Sequence, residues 1–312
     1  MNAIQSALHP AGDHAALTAR LFHLFLSVTG FFFLLVLVFL GWALWRRDRG
    51  GDNERRLRIT VVIWAMLITA GLFGLTIGSY LTDRGLFFTG AGEEPIRLKV
   101  TGRQWWWEVE YSAAADQSQH IVTANEIHLP LGRPAHIELV ADDVIHSLWI
   151  PNLAGKQDLI PGRPADLELR PRQLGRFRAQ CAEFCGLQHA HMALDVVVET
   201  PEQFAAWAAK SRQPAPIPQT DAQKRGFAIV TGSQCSACHA ITGTDAFGTV
   251  GPDLTRVASR FTLAAGELPD TRAWLDRWIA DPQAIKPGNR MPKVPLTDAQ
   301  RHDVVAYLET LK

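Results

Sequence analysis

Cys181-Ala-Glu183-Phe-Cys185-Gly-Leu-Gln-His189-Ala-His191-Met192 gathers two thiols, two imidazoles and a thioether into one short stretch. Thiolate, imidazole and thioether together select copper or another soft metal over calcium or magnesium. The chain has 312 residues and only 4 cysteines, which fall in two tight pairs. A disulfide scaffold would spread its cysteines along the chain, whereas tight pairs beside histidine suggest metal or haem attachment.

The second pair lies in Cys235-Ser-Ala-Cys238-His239, the C-x-x-C-H attachment signature of a c-type haem. The two sulfurs hold the porphyrin and His239 binds the iron. Met291 is the only methionine after this motif, in Asn289-Arg-Met291-Pro292. A lone methionine ordinarily fills a gap in a core, but in a haem domain it is the expected sixth ligand. His302 is the alternative, and it sits inside the last helix, where it reads as surface. A Met/His pair raises the haem potential.

Upstream of the sulfur cluster the pattern is β. Ile96–Val100 and His136–Val140 alternate, and Asp166–Leu169 and Ala193–Val198 read as further strands. Turns punctuate them at Pro130-Leu-Gly132, Pro161-Gly162 and Pro171, which suggests an antiparallel sandwich or barrel. His146, in Val144-Ile-His146-Ser-Leu-Trp149, could add a nitrogen ligand from an earlier strand, and His189 and His191 compete for the later position. Downstream, Gln213-Pro-Ala-Pro-Ile-Pro218 predicts an extended, fairly stiff connection. Beyond it Thr220-Asp-Ala-Gln223 and Thr297-Asp-Ala-Gln300 fit capping boxes. Ala273–Ile279 and Val304–Leu308 carry apolar residues at helical spacing.

Leu21–Trp45 is apolar apart from His23, and Ile59–Leu81 has no charge at all. Each is long enough to cross about 30 Å of hydrocarbon as a helix. Arg46, Arg47, Arg49, Arg55, Arg56 and Arg58 outnumber Asp48, Asp52 and Glu54 between them, and the positive-inside rule places that loop in the cytoplasm. Both chain ends then lie outside. Trp42, Trp45 and Tyr80 fall near the helix ends, where amphipathic rings favour the interface. The first residues lack the basic start and short apolar core of a conventional signal peptide, so the first helix is expected to remain as an anchor. The expected organisation is an N-terminal segment and two transmembrane helices over 1–90 (21–45 and 59–81), a β domain over 91–200, a linker over 201–219 and a helical domain over 220–312. Net formal charge is +0, so no overall field points to nucleic acid.

The pattern His146, Cys181-x-Glu183-x-Cys185, His189, Met192 resembles the binuclear copper (CuA) centre of subunit II of haem-copper oxidases. Gly102-Arg-Gln104-Trp105-Trp-Trp107, Ile145-His146-Ser-Leu-Trp149-Ile-Pro151 and Lys156-Gln-Asp158-Leu-Ile-Pro161-Gly162-Arg163 are similar to the family as well. The resemblance implies a cupredoxin-like all-β sandwich in which Cys181 and Cys185 bridge two coppers. It makes His146, His189 and Met192 terminal ligands, with Glu183 giving its backbone carbonyl. It favours His189 over His191, makes Trp105 the point of electron entry, and gives the Glu183 side chain a magnesium ion shared with another subunit. The C-terminal part, with Gly251-Pro252 and the Met291-Pro292 loop, resembles all-α class I cytochrome c, with Cys235, Cys238, His239 and Met291 holding one haem and Pro252 beside the proximal histidine.

Taken whole, the chain resembles the caa-type fused form of oxidase subunit II, a multidomain protein of the bacterial inner membrane with both soluble domains on the periplasmic face. By that resemblance electrons pass from an upstream cytochrome c or quinol-cytochrome c reductase to the C-terminal haem. They continue to the copper pair and to haem a in subunit I, where haem a and CuB serve oxygen reduction to water with proton translocation. Subunit III and membrane lipid are further expected partners. The family often has an acidic residue at the start of the second membrane helix and a proline inside it. Arg58–Trp64 has neither, and Glu54 is the nearest acid, which puts proton uptake through this subunit in doubt. A copper-bearing nitric oxide reductase subunit would use much the same electron path. A quinol oxidase subunit would lack the copper ligands. A membrane-tethered redox sensor or copper-storage protein would not need a haem in series with copper.

Overall fold

The computed structural model describes residues 4–46, 54–86, 94–113 and 116–312. Arg47, Asp48, Arg49 and Asp52 of the arginine-rich connection lie outside these residues.

Two helices of 33 residues each, α1 (Asp13–Trp45) and α2 (Glu54–Leu86), contain the apolar runs; α1 begins before its run and ends with it at Trp45, and α2 extends beyond its run at both ends. Their apolar windows have mean hydropathies of 2.6 and 2.1, with 0% and 6% buried by protein, so these helices are apolar on surfaces that the protein does not cover. The hairpin closes where small residues face large ones. A Cβ on Gly71 would lie 2.9 Å from the Phe32 ring, and one on Gly78 would lie 2.7 Å from Leu24. Close backbone approach of this kind packs helices in lipid. Ser27, Thr29, Thr60, Thr76 and Thr82 each return their hydroxyl to the carbonyl four residues earlier, which satisfies these donors within the helix.

The β domain is a sandwich of two five-stranded sheets. Its strands are β1 (Ile96–Arg103), β2 (Trp106–Ala113), β3 (Asp116–Ala124), β4 (Glu126–Pro130), β5 (Ala135–Ala141), β6 (His146–Trp149), β7 (Lys156–Leu159), β8 (Ala165–Leu169), β9 (Gly175–Cys181) and β10 (Ala193–Glu199). One sheet runs β3-β2-β1-β5-β8 and the other β4-β10-β9-β6-β7. The antiparallel expectation needs correction, because β1 pairs with β5 and β4 with β10 in parallel. A parallel neighbour requires a crossover connection, and alternation within a strand carries no information about that.

Alternation does decide what each strand buries. Ala135, Ile137, Leu139 and Ala141 point inward from β5, and Phe177, Ala179 and Cys181 from β9. The last inward position of β9 therefore delivers a thiol to the core face. Trp107 is fully buried in this core, while Trp106 faces the opposite side and packs with Ala124 and Ala265. Residues 4–12 pack on the same domain: Ile4 O accepts from Arg178 N, and Ala11 O from Arg172 N.

The stretch read as a linker opens with a helix, α3 (Pro201–Ser211), capped by a reciprocal Thr200–Gln203 box. Phe204 and Trp207 hold it to the sandwich, with the Trp207 ring stacked 4.2 Å from His128. The proline stretch then docks on the helical domain, where Thr242 O accepts from Ala215 N at 2.8 Å. Arg256 fastens both ends, donating to Lys210 O, Gln213 O and Lys312 O.

The C-terminal domain comprises α4 (Asp221–Gly232), α5 (Gln234–Cys238), a short pair β11 (Thr262–Leu263) and β12 (Leu268–Pro269), α6 (Arg272–Ala280), α7 (Pro282–Ile285) and α8 (Asp298–Leu308). The capping boxes at Thr220 and Thr297 form as the sequence predicts. Helices α4 and α8 cross at Gly226, where a Cβ would lie 2.0 Å from Asp303 O. Val230, Leu275, Ile279, Val304 and Leu308 form the core beneath that crossing.

Candidate metal centre and haem pocket

Six donors converge at the end of β9. Cys181 Sγ and Cys185 Sγ lie 3.7 Å apart. His146 Nδ1 is 3.9 Å from Cys181 Sγ, and His189 Nδ1 is 3.6 Å from Cys185 Sγ. Met192 Sδ is 3.8 Å from Cys185 Sγ, and Glu183 O is 3.2 Å from Cys181 Sγ. The backbone explains the convergence. β6 runs antiparallel to β9 with Leu148 opposite Cys181, which brings neighbouring His146 to the thiols. A 3₁₀ turn at His189–His191 then folds the chain back so that Met192, fully buried, returns beneath them.

His146 is fully buried. Gly102 makes its room, since a Cβ there would lie 2.9 Å from the imidazole. Asp143 Oδ1 accepts from His146 Nε2 at 2.9 Å, which fixes the tautomer and leaves Nδ1 for the thiols. Burial opposes a charge on His146, but the hydrogen bonds to Asp143 and Cys181 outweigh it and raise its pKa. Cys185 donates to Cys181 and, with His146 and backbone N–H groups, makes Cys181 the easier thiolate, while that anion holds Cys185 protonated. A thiolate beside a second thiol, two imidazoles and a thioether is a donor set that fits a soft metal, and Cys181, Cys185, His146, His189 and Met192 would hold it. His191 turns away and donates to Glu267 at 2.5 Å, so the fold gathers His189 rather than His191. The Glu183 carboxylate is 44% exposed, with Lys156 Nζ at 4.0 Å.

The haem motif lies on α5 and the turn after it. His239 Nδ1 donates to Pro252 O at 2.7 Å, so Nε2 is the nitrogen available to a ligand. Burial lowers the His239 pKa and keeps the ring neutral. Gly251 and Gly248 permit the close packing, since Cβ atoms there would lie 2.6 Å from His239 and 2.4 Å from Cys238. Cys235, Cys238, His239 and Met291 line one largely apolar cavity with Val230, Leu254, Leu275, Trp278 and Leu308. Asn289 and Gln283 shape the methionine loop, accepting from Met291 N and donating to Met291 O. Arg260 also lines the cavity, and among the described residues its buried Nε has no partner, which leaves a donor suited to a carboxylate-bearing macrocycle. These residues fit a covalently held haem. His302 is 63% exposed beside Asp276, away from the cavity lining.

Gln104, Trp105 and Trp106 of the β domain form part of the same cavity wall. Trp105 Nε1 and Gln104 Nε2 both donate to Cys185 O, at 3.0 and 2.8 Å. One indole therefore touches the haem cavity and the sulfur cluster. Gly102, Gln104, Asp143 and Lys286 are site residues to which the sequence alone gave no role; Gly102 and Gln104 lie in the stretch that resembles the family, and Asp143 stands three positions before His146.

Residues 96–200 match the family model for the periplasmic domain of cytochrome c oxidase subunit II, and residues 223–312 match that for cytochrome c. Cytochrome c oxidase subunit 2 of Alkalihalophilus pseudofirmus is 33% identical over 223 residues, 71% of this chain and 63% of that one, so the match spans less than two thirds of that relative. The protein of the same name from Bacillus sp. strain PS3 is 30% identical over 290 residues, 86% of this chain and 80% of that one. The crystal structure of the periplasmic domain of subunit II of cytochrome oxidase of Bradyrhizobium japonicum shares 25% identity, covering 39% of this chain and 97% of that one with a TM-score of 0.36.

An apolar helical hairpin, a sulfur-terminated β sandwich and a C-x-x-C-H helical domain together define a membrane-anchored subunit of an oxidoreductase complex. The chain belongs to the cytochrome c oxidase subunit II family, in a form that carries a cytochrome c domain. That family implies a CuA copper centre and a c-type haem.

Proposed function

We propose that this chain is the electron-entry subunit of a caa-type terminal oxidase, passing electrons from its C-terminal domain through its β domain to subunit I. The observation that carries the reading is the position of Trp105, in the wall of the haem cavity and hydrogen-bonded to the carbonyl of Cys185. When bound, a haem and a copper pair supply reversible one-electron chemistry; the protein supplies ligand choice, spacing and dryness. Cys235, Cys238, His239 and Met291 would hold the haem. Cys181, Cys185, His146, His189, Met192 and Glu183 O would hold the coppers. His146, Cys181, Cys185 and Met192 are buried, which limits solvent reorganisation at the copper site during transfer.

The Glu183 carboxylate would hold a magnesium ion with a companion from another subunit. Arginines flanking the α1–α2 connection support a cytoplasmic location for it, with both soluble domains on the periplasmic side. Electrons would leave for haem a in subunit I, with oxygen reduced to water and protons translocated there. A cytochrome c or a quinol-cytochrome c reductase would supply them.

The test is to count copper and haem in the purified full chain and record the copper electron paramagnetic resonance spectrum. Two coppers sharing one unpaired electron, with one covalent haem, is the expected result. One mononuclear copper, or none, overturns the binuclear assignment.

A further inference from the structure

Lys286 lies between α7 and the loop that carries Met291, and it is only 3% exposed. Its Nζ donates to three backbone carbonyls: Trp105 O at 2.8 Å, His191 O at 2.7 Å and Ala264 O at 2.9 Å. The first two belong to the β domain, and the third to its own domain. These three acceptors satisfy all three ammonium donors. Among the described residues no carboxylate is seen paired with it; Glu267, whose charge acts on it most, is hydrogen-bonded to His191. Lysine is almost never buried without a partner, because its charge is costly to desolvate. Desolvation here pushes the Lys286 pKa down to about 7, against the pull of Glu267 and Cys185.

The acceptors indicate what this costly arrangement does. Trp105 is the residue between the two candidate redox sites, and His191 precedes Met192. The turn after Lys286 sits on the same surface. A Cβ on Gly288 would lie 3.8 Å from the Trp105 ring, and one on Gly186 would lie 3.1 Å from another atom of that ring. Gln188 Nε2 donates to Pro287 O at 2.7 Å. The indole is thus held between the loop that supplies Cys185 and the loop that supplies Met291.

We propose that Lys286 is the positioning residue that seats the Met291 loop of the haem domain against Trp105 and the copper loop, and so fixes the path for transfer between the two domains. The inference rests on the functional reading above. Other contacts align the rest of the interface: Ala193 N donates to Ala265 O at 2.9 Å, Arg178 to Gly266 O at 3.0 Å and Thr262 to Asp195 at 2.9 Å. Removing Lys286 should therefore loosen this seat without releasing the domain.

The experiment compares the full-length, cofactor-loaded chain with its K286M variant, which keeps most of the unbranched apolar stem and removes its three donors. Three readouts are taken: hydrogen exchange at residues 104–106 and 286–291, the midpoint potentials of both centres, and the haem-to-copper transfer rate after flash reduction. The expected result is exchange and transfer each changed by about tenfold, faster and slower respectively, as a small misplacement produces, with potentials and spectra unchanged. Unchanged exchange together with an unchanged rate overturns the proposal. Should K286M not accumulate, K286Q is read the same way. Should neither accumulate, wild-type exchange decides: amides at 286–291 exchanging like those of an exposed loop would overturn the seat. A wild-type chain lacking the copper pair or the haem would refute the functional reading instead, while exchange would still judge the role of Lys286.

Discussion

Asp143 Oδ1 accepts the Nε2 proton of His146 at 2.9 Å, while Asp143 Oδ2 accepts from Gln104 N at 2.7 Å. Arg290, next to Met291, faces the same Oδ2 at 3.4 Å. A single carboxylate thus orients a proposed copper ligand, anchors the strand end beside Trp105 and meets the loop of the proposed haem ligand. Burial works against its charge, but the hydrogen bonds from His146, Gln104 and Val144 hold Asp143 below the usual carboxylate range.

Asp143→Ala should therefore weaken copper binding without removing a ligand. Loss of an outer carboxylate partner of a ligating histidine typically reduces metal affinity by about 10–100-fold. Competition with a chelator on the full chain measures this. Equal affinities in the variant and the wild type would show that His146 needs no such support.

Cys185→Ser tests the sulfur pair. Cys185 Sγ lies near Cys181, His189 and Met192, so it links both halves of the donor set. The variant should lose the shared-electron copper signal and show a mononuclear spectrum or no copper, with haem content unchanged. A retained binuclear spectrum would mean that the metals are bridged elsewhere.

Gly226→Ala tests the helix crossing that frames the haem domain. The added methyl would lie 2.0 Å from Asp303 O and 2.9 Å from Tyr307 Cβ, and Tyr307 is fully buried. Backbone atoms cannot step aside as a side chain can, so α4 and α8 must separate. The expected destabilisation is about 3 kcal/mol, at the upper end of ordinary overpacking, read from thermal unfolding followed at the haem. A melting temperature within a degree of the wild type would contradict this geometry.

What the sequence makes legible follows from how local each signal is. Cys181, Cys185 and Met192 sit within one turn-rich stretch, and Cys235, Cys238 and His239 within one short helix and its end, so local spacing gathers these donors, while the choice of His189 over its neighbour His191 comes from the family resemblance. His146 comes from a different strand and is singled out only weakly without the family resemblance. The capping boxes at Thr220 and Thr297 are fixed by residues three apart and form as expected. The parallel pairings of β1 with β5 and β4 with β10 are invisible because alternation specifies a face and not a neighbour. Lys286 is hidden for the same reason. A lone lysine before Pro287 reads as solvated, and only the meeting of two domains, distant in sequence, buries it.

His128 predicts how the β domain responds to pH. It is buried between Glu126 and Glu199, with the Trp207 ring stacked on it at 4.2 Å. Tyr111 Oη accepts from its backbone N–H and donates to its carbonyl. Burial opposes protonation, but the two glutamates outweigh it and raise the His128 pKa from an ordinary 6.5 to about 9. The folded state thus binds the proton more tightly than the unfolded chain. The resulting stabilisation is fully present below about pH 6.5 and is lost as pH rises through about 9. His128→Gln removes the titrating group while leaving a planar side chain against Trp207. The difference in melting temperature between wild type and variant should therefore shrink steadily from pH 6.5 to pH 9. Lys286 titrates in part of the same window with the opposite sign, since its pKa is lowered by burial, but it is common to both proteins and cancels in the difference. Parallel curves for the two proteins would show that the Glu126–His128–Glu199 group carries no net charge-dependent stability.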